Sequence, residues 1–320
     1  MALATGDVIG ILADNLRLRD SVLPISKRSA TRWARGLNLR HGGETVLYTG
    51  MMYQLIPYIE GLVKAETKLG DSFLGKYTRL GRWVNRLVNV SAFLARPSST
   101  LRDKYNQIPA DVARLLQNAG VDFGYLYEDD LYTGALAHDL GADEAVAAHA
   151  NKVYARLKRH RVKTLITIDP HTTNMLRSVY PKLIPGYDLE VKTYLEVLAE
   201  KDVLPKRQLG IEVALHDPCL FARYENVIDQ PRELLAKAGV TVAEPEKSGR
   251  MTWCCGGPVE SLYPDKARAN AEKRVAQLRA VGNQAVTMCP MCLINLGNAA
   301  ATEDITFRDL SHYLRLAYTP

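Results

Sequence analysis

The strongest constraint in this chain is that it contains itself twice. Leu115-Leu-Gln-Asn-Ala-Gly-Val121 matches Leu234-Leu-Ala-Lys-Ala-Gly-Val240 at an offset of 119. Ile166-Thr-Ile-Asp-Pro-His-Thr172 matches Val286-Thr-Met-Cys-Pro-Met-Cys292 at an offset of 120, and Leu176 then falls on Leu296. Two separate matches at nearly one offset imply an internal duplication rather than two units that merely share a strand–turn–helix grammar. Short apolar runs at Thr45–Thr49, Lys163–Ile168, Ile211–Leu215 and Gln284–Thr287 read as strands. Between them lie segments with helical spacing, at 111–120, 144–157, 231–239 and 264–281. Gly120 and Gly239 mark two helix ends. Strand and helix alternating at this interval predict βαβ units. The expected fold is therefore α/β: two pseudo-repeated, Rossmann-like halves with mainly parallel sheets.

The boundaries expected from this reading are 1–44 for a helical N-terminal extension, 45–190 for the first half and 191–320 for the second. In the first half Asp129 lies 78 positions after Met51, where in the second Cys254 lies 35 after Cys219. The excess coincides with a basic stretch at about 66–105, which holds eight Lys and Arg against three Asp and Glu. That stretch reads as a helical insertion, and its Tyr77–Leu94 part has an apolar face and a basic face suited to docking a partner. Gly70–Tyr77 is a near miss to a phosphate-binding loop, with tyrosine where a magnesium-binding hydroxyl belongs. It carries no nucleotide reading.

The net charge of +6 is too small to suggest a nucleic-acid partner, and no nucleic-acid motif accompanies it. No apolar run reaches the ~18 residues a spanning helix needs, and the first twenty residues lack a signal-peptide pattern. A cytoplasmic protein without a transmembrane segment is expected.

The five cysteines all lie between 219 and 292, and the first 218 residues have none. Core cysteines would scatter, and a disulfide scaffold would be short and secreted. The arrangement is His216-Asp-Pro-Cys219, then Cys254-Cys255-Gly256-Gly257, then Cys289-Pro-Met-Cys292. Thiolates select zinc, copper(I) or iron–sulfur clusters, and each group here sits where a strand hands over to a helix. In open α/β sheets that is the ligand crevice. Five thiols exceed the four of a tetrahedral zinc and the four of an ordinary cubane. The expected cofactor is an iron–sulfur cluster bound by Cys219, Cys254, Cys255, Cys289 and Cys292. A structural zinc, or a redox pair at Cys289 and Cys292, stays open as an alternative. Equivalent positions in the first half are Met51, the neighbourhood of Asp129-Asp130, Asp169 and Thr172. Asp130, His138, Asp169 and His171 form a polar set there that could bind a hard metal or position a substrate. Asp169, followed by Pro170, also has the form of a helix cap. His216 is either a donor to a cluster sulfur, held outside the ligand set, or a satisfied histidine at a strand end.

The cysteine pattern, preceded by His216-Asp-Pro, resembles the CCG or cysteine-rich domain in the B-type subunit of heterodisulfide reductase. Relatives of that domain occur in glycolate and lactate oxidase iron–sulfur subunits and in sulfur-oxidation complexes. The resemblance covers about residues 45–300, and is greatest to the B-type proteins of the bacterial sulfur-oxidising, heterodisulfide-reductase-like complex. It implies a noncubane [4Fe-4S] cluster on the five cysteines and two-electron thiol/disulfide chemistry in sulfur metabolism, on a thiol or disulfide substrate that can itself be protein-bound. It further implies partners: a ferredoxin-like subunit of the C type and a flavoprotein subunit of the A type, the ferredoxin-type cysteines being absent here. The departure is the cysteine-free first half. Two other functions remain open. One is a non-catalytic electron-transfer subunit of a quinone-linked hydroxyacid or sulfur oxidoreductase. The other is a zinc-stapled structural adaptor.

Overall fold

The computed structural model describes residues 5–23, 25–69 and 97–320. Among the described residues nine strands form two sheets, and every pairing is parallel. The first contains β1 (Arg40–His41), β2 (Thr45–Tyr48), β3 (Gly124–Tyr125), β4 (Thr164–Thr167) and β5 (Glu190–Thr193), in the order β1-β3-β2-β4-β5. The second contains β6 (Ile211–Leu215), β7 (Val240–Ala243), β8 (Gln284–Thr287) and β9 (Thr306–Asp309), in the order β7-β6-β8-β9. Removing the edge strand β1 makes the two orders identical. The duplication seen in the sequence is thus a duplication of topology.

The central strands are covered on both faces. Val46, Leu47 and Tyr48 are fully buried, as are Ala214 and Leu215. A strand buried on both sides reads as a continuous apolar run instead of an alternating one. The helix Asp143–Arg159 shows the complementary pattern. It buries Val146, His149, Ala150, Val153 and Leu157 at helical spacing, with acids in its first turn and bases in its last.

Three boundaries differ from those the sequence suggests. β5 begins at Glu190 and leads into the helix Tyr194–Glu200, and both complete the first unit. The division therefore lies within 201–210, not at 190/191. The N-terminal extension is not wholly helical, since Arg40 and His41 pair with Gly124 and Tyr125 at the sheet edge. The helix expected from 111 begins at Ser99, capped by Ser98, whose side chain accepts a hydrogen bond from the Leu101 amide. Pro109 lies inside that helix, although proline in a helical pattern commonly signals a boundary. Of the basic insert at about 66–105, residues 66–69 and 99–105 belong to the helices Met52–Leu69 and Ser99–Asn118. Residues 70–96, with the Gly70–Tyr77 and Tyr77–Leu94 features, lie outside the described residues.

The two units share one apolar core, and polar contacts cross between them. Tyr53 Oη donates to Asp309 Oδ2 at 2.6 Å. Asn174 Nδ2 and Ser178 Oγ donate to Glu225 Oε1 at 2.7 and 2.8 Å. Among the described residues no helix is long and apolar enough to cross a membrane.

Candidate metal centre

Three connections at the carboxyl ends of adjacent strands supply the cysteines. Cys219 follows β6, Cys254 and Cys255 lie between β7 and the helix Pro264–Arg279, and Cys289 and Cys292 follow β8. Because β6 lies between β7 and β8, the three connections converge on one crevice. The thiols are within hydrogen-bonding reach in sequence around it: Cys219 with Cys254, Cys254 with Cys255, Cys255 with Cys292, and Cys292 with Cys289. Cys255, Cys289 and Cys292 are buried, whereas Cys219 and Cys254 are half-buried. The group therefore has a closed side and an open edge.

Local sequence sets each donor. Pro290 begins the helix Pro290–Ala299 with Cys289 as its N-cap residue, so both Cys289 and Cys292 lie at a helix N-terminus, where negative charge is favoured. Gly256 has φ 89° and no room for a side chain, since a Cβ would fall 2.3 Å from the Ala267 carbonyl oxygen. Its N–H points to Cys254 Sγ at 3.4 Å. Hydrogen bonds from Cys219 and Cys255, with that amide, hold the Cys254 thiol well below its ordinary pKa. Burial pushes Cys289 up, but hydrogen bonds from Cys292 and His171 outweigh it and the net shift is downward. The same contacts push Cys219 and Cys255 up. Such a set carries negative charge into a buried site, and a cation is the natural complement.

Asp217 fastens two of these connections together. Its carboxylate accepts both Arg232 Nη1 and Nη2, at 2.8 and 2.9 Å, and the Gly249 amide at 2.7 Å. Thr252 Oγ1 donates to the Asp217 carbonyl oxygen at 2.8 Å. The Cys219 connection is thus tied to the segment just before Cys254.

Residues 213–297 match the cysteine-rich domain family known as CCG. The second half carries a CCG cysteine-rich domain. Similar proteins include the EtfAB:quinone oxidoreductase of Syntrophomonas wolfei, 31% identical over 221 residues, which are 64% of this chain and 31% of that protein. The probable iron-sulfur-binding oxidoreductase FadF of Bacillus subtilis is 31% identical over 210 residues, 63% of this chain and 30% of its own length. The B-type subunit of the fumarate reductase (CoM/CoB) of Methanothermobacter marburgensis is 30% identical over 164 residues, 49% of this chain and 32% of that one. The chain spans about a third of the length of these relatives.

The residues of the CCG domain fit an iron–sulfur group. Five soft donors face one another, and His216 Nε2 is buried without a hydrogen-bond partner among the described residues. A ring nitrogen of His216 and the sulfurs of Cys255 and Cys292 all lie within 4.8 Å of one another. A buried polar atom left in that state marks a place where something else belongs.

The first half faces the CCG domain with His171, which the sequence places in a polar set without singling it out. His171 Nδ1 lies 3.2 Å from Asp139 Oδ2, and the ring also meets the Cys289 thiol. Burial opposes a charge on His171, but the hydrogen bonds to Asp139 and Cys289 win and raise its pKa well above the ordinary value. His138 is not part of this group; its ring faces Asp143 at 4.0 Å. Asp169 accepts from the Thr172 amide at 2.9 Å and caps the helix Pro170–Asn174.

The remaining first-half positions close on themselves. Asp130 Oδ2 accepts Thr49 Oγ1 at 2.5 Å, and Asp130 Oδ1 accepts the Gly50 amide at 3.2 Å. Thr172 Oγ1 lies 3.4 Å from the Thr49 carbonyl oxygen. A Cβ on Gly50 would come within 2.3 Å of Thr172 Oγ1, so the space is filled. Where the CCG domain gathers thiols, the first half gathers hydroxyls and one carboxyl that satisfy one another. Asp217 lies within the His216-Asp-Pro-Cys219 motif, while Arg274, buried with its Nε 2.9 Å from His216 Nδ1, and His171 lie outside the cysteine pattern.

Proposed function

We propose that this chain is an iron–sulfur subunit, or the corresponding portion of one, in an oxidoreductase complex, with Cys219, Cys254, Cys255, Cys289 and Cys292 holding a noncubane [4Fe-4S] cluster. The observation that carries this reading is the convergence of five thiols from three strand ends into one partly buried crevice. The group, when bound, would supply redox chemistry at iron, with thiol/disulfide exchange of electrons at its open edge. The chain's own residues do the rest. Cys219 and Cys254 form the edge a sulfur substrate would approach, and His171 puts a positive charge beside Cys289. Asp217 and Gly256 keep the cysteine-bearing connections in place.

A thiol or disulfide substrate, protein-bound in the fullest form of this reading, is favoured by the similarity to the B-type subunit of a fumarate reductase (CoM/CoB) and by an edge that is not fully buried. An electron-relay role is favoured by the similarity to an EtfAB:quinone oxidoreductase. A ferredoxin-like and a flavoprotein partner suit either reading. The chain covers about a third of its relatives, and the remainder of those proteins leaves room for such modules.

The test is metal and sulfide analysis of anaerobically purified protein, with electron paramagnetic resonance before and after addition of a thiol. Iron and sulfide in equal amounts with a thiol-sensitive signal support sulfur chemistry at the site. A thiol-indifferent signal supports the relay. One zinc per chain and no sulfide removes both readings and leaves the structural adaptor.

A further inference from the structure

We infer that Arg274 locks His216 as its Nε2–H tautomer, which makes His216 a hydrogen-bond donor toward the thiol-bound group and bars it from the metal-ligand set. The tautomer follows from this chain's residues alone; the donor role rests on the function proposed above.

Arg274 and His216 are both buried, at 0% and 1% exposure. Arg274 Nε lies 2.9 Å from His216 Nδ1. A guanidinium has only donors, and it stays protonated in proteins; here burial lowers its pKa only to about 10. Its Nη1 is committed to the Lys247 carbonyl oxygen at 2.7 Å and Gln277 Oε1 at 2.9 Å, which fixes the orientation of the plane. His216 Nδ1 must therefore present a lone pair. A proton there would point at the Arg274 N–H. A neutral imidazole has one proton, so it sits on Nε2.

With Nδ1 taken by Arg274, Nε2 is the ring nitrogen left for the cysteine side. Nε2 has no partner among the described residues, and a ring nitrogen of His216 lies with the sulfurs of Cys255 and Cys292 in a group no more than 4.8 Å across. By distance alone these three residues could hold a metal ion. Chemistry decides otherwise. A histidine that ligates metal offers a bare nitrogen, and its other nitrogen donates a proton to a carboxylate or carbonyl. At His216 the partner has the opposite polarity, because a cation that can only donate occupies the place of the acceptor. Nε2 thus has no lone pair to give. Hydrogen bonds to the sulfurs are one of the means by which a protein sets a cluster's reduction potential. His216 and the cation behind it act in that way.

The sequence carries a trace of this arrangement. In the helix Pro264–Arg279 the buried face runs through Ala267, Ala271, Arg274, Val275 and Leu278. Arg274 is the charged residue on an apolar stripe, where arginine is almost never buried unless paired.

The experiment uses the full chain labelled with 15N-histidine and two forms of it. In the metal-free protein, two-bond proton–nitrogen correlation spectra report the tautomer, with His216→Gln identifying the resonance. Wild type should show Nε2–H alone at neutral pH, and Arg274→Met should lose the single-tautomer signature. In the reconstituted protein, His216→Gln should keep the wild-type iron content. His216→Leu should keep it too but lower the midpoint potential, by a tenfold change in the reduction equilibrium, ~59 mV for one electron. Arg274→Lys, which keeps a donor-only cation, should restore part of what Arg274→Met loses. Finding His216 as Nδ1–H, or losing metal in His216→Gln, overturns the inference. So does an unchanged tautomer in a folded Arg274→Met protein. If Arg274→Met does not fold, the wild-type tautomer and the His216→Gln metal content still decide. A preparation that takes up no iron defeats the proposed function while the tautomer assignment is judged on its own spectrum.

Discussion

Asp169 and Cys289 occupy the same place in the two halves. Each follows the central strand by two residues, each is the N-cap of a helix with proline at its first position, and each has an extended backbone, at φ −141° and −139°. Only the chemistry at the tip of the side chain differs. Asp169 gives one carboxyl oxygen, Oδ1, to the Thr172 amide and leaves Oδ2 buried without a partner among the described residues, whereas Cys289 makes no cap hydrogen bond and turns toward His171 and Cys292. One backbone frame thus serves two ends. In the first half it closes a polar plug, and in the second it leaves a thiol free for another partner.

The plug makes stability depend on pH in a definite direction. Burial pushes Asp130 up to about 7 and Asp169 to about 6, from an ordinary 3.8. Between pH 4 and 7 the folded chain therefore holds protons that the unfolded chain has released. Stability is full below the unfolded value and is lost as pH rises through the folded one. A gap of one pH unit between the folded and unfolded values is worth about 1.4 kcal/mol. Asp130→Asn keeps an oxygen for the Gly50 amide and removes the ionisation. Urea midpoints at pH 5 and pH 8 should differ less in this variant than in wild type. Equal pH slopes in the two proteins would sink the assignment.

The cysteines should not be equivalent. Cys255, Cys289 and Cys292 form the closed side, so serine at any one of them should remove more than half of the bound iron and sulfide. Cys219 and Cys254 form the open edge. Cys219→Ser should keep more metal than Cys292→Ser but respond differently to added thiol. Metal analysis and paramagnetic resonance on matched anaerobic preparations read both effects. Equal metal loss at 219 and 292 would contradict the division into edge and floor.

Much of this architecture was legible in the residues because it depends on local rules. The repeat at 119–120, the four apolar strand runs and the Asp169-Pro170 cap are each set by neighbours in sequence. What escaped depends on pairing across the fold. Arg274 and His216 are 58 residues apart, and Asp139 and His171 are 32 apart. Neither pairing has a sequence period. The edge strand Arg40–His41 was missed for another reason. Two residues show no alternation, and this pair is exposed, so only the partner strand makes it a strand. The boundary between the halves moved because β5 reads as Glu190-Val-Lys-Thr193, with charged residues on an outer strand.

Tyr53 and Asp309 tie the two halves at a buried point. The phenol donates to Asp309 Oδ2, while Asp309 Oδ1 accepts the Ser311 amide and caps the helix Leu310–Tyr318. Removing the hydroxyl leaves a buried carboxyl oxygen unsatisfied, which costs ~1–3 kcal/mol. Tyr53→Phe should lower the urea midpoint accordingly with little change in metal content. A neutral effect on stability would mean that water or another donor replaces the phenol.

His171 is the residue through which the cysteine-free half touches the chemistry of the other. Its ring is held by Asp139 and meets Cys289. A positive group beside a thiolate ligand favours the more electron-rich state of whatever that thiolate binds. Replacing it with His171→Gln keeps a donor and removes the charge, so the midpoint potential should fall. A hydrogen bond to a charged group is worth ~1.5 kcal/mol or more, and ~59 mV is a tenfold change for one electron, so a fall of roughly 60 mV is expected. Asp139→Asn should move the potential in the same direction by less, since it loosens the ring without deleting it. Iron content separates this effect from simple loss of the site, and it should stay at the wild-type level in both variants. If His171→Gln leaves the potential unmoved with the metal retained, the first half is only a wall, and the electrostatics of the site belong to the CCG domain alone.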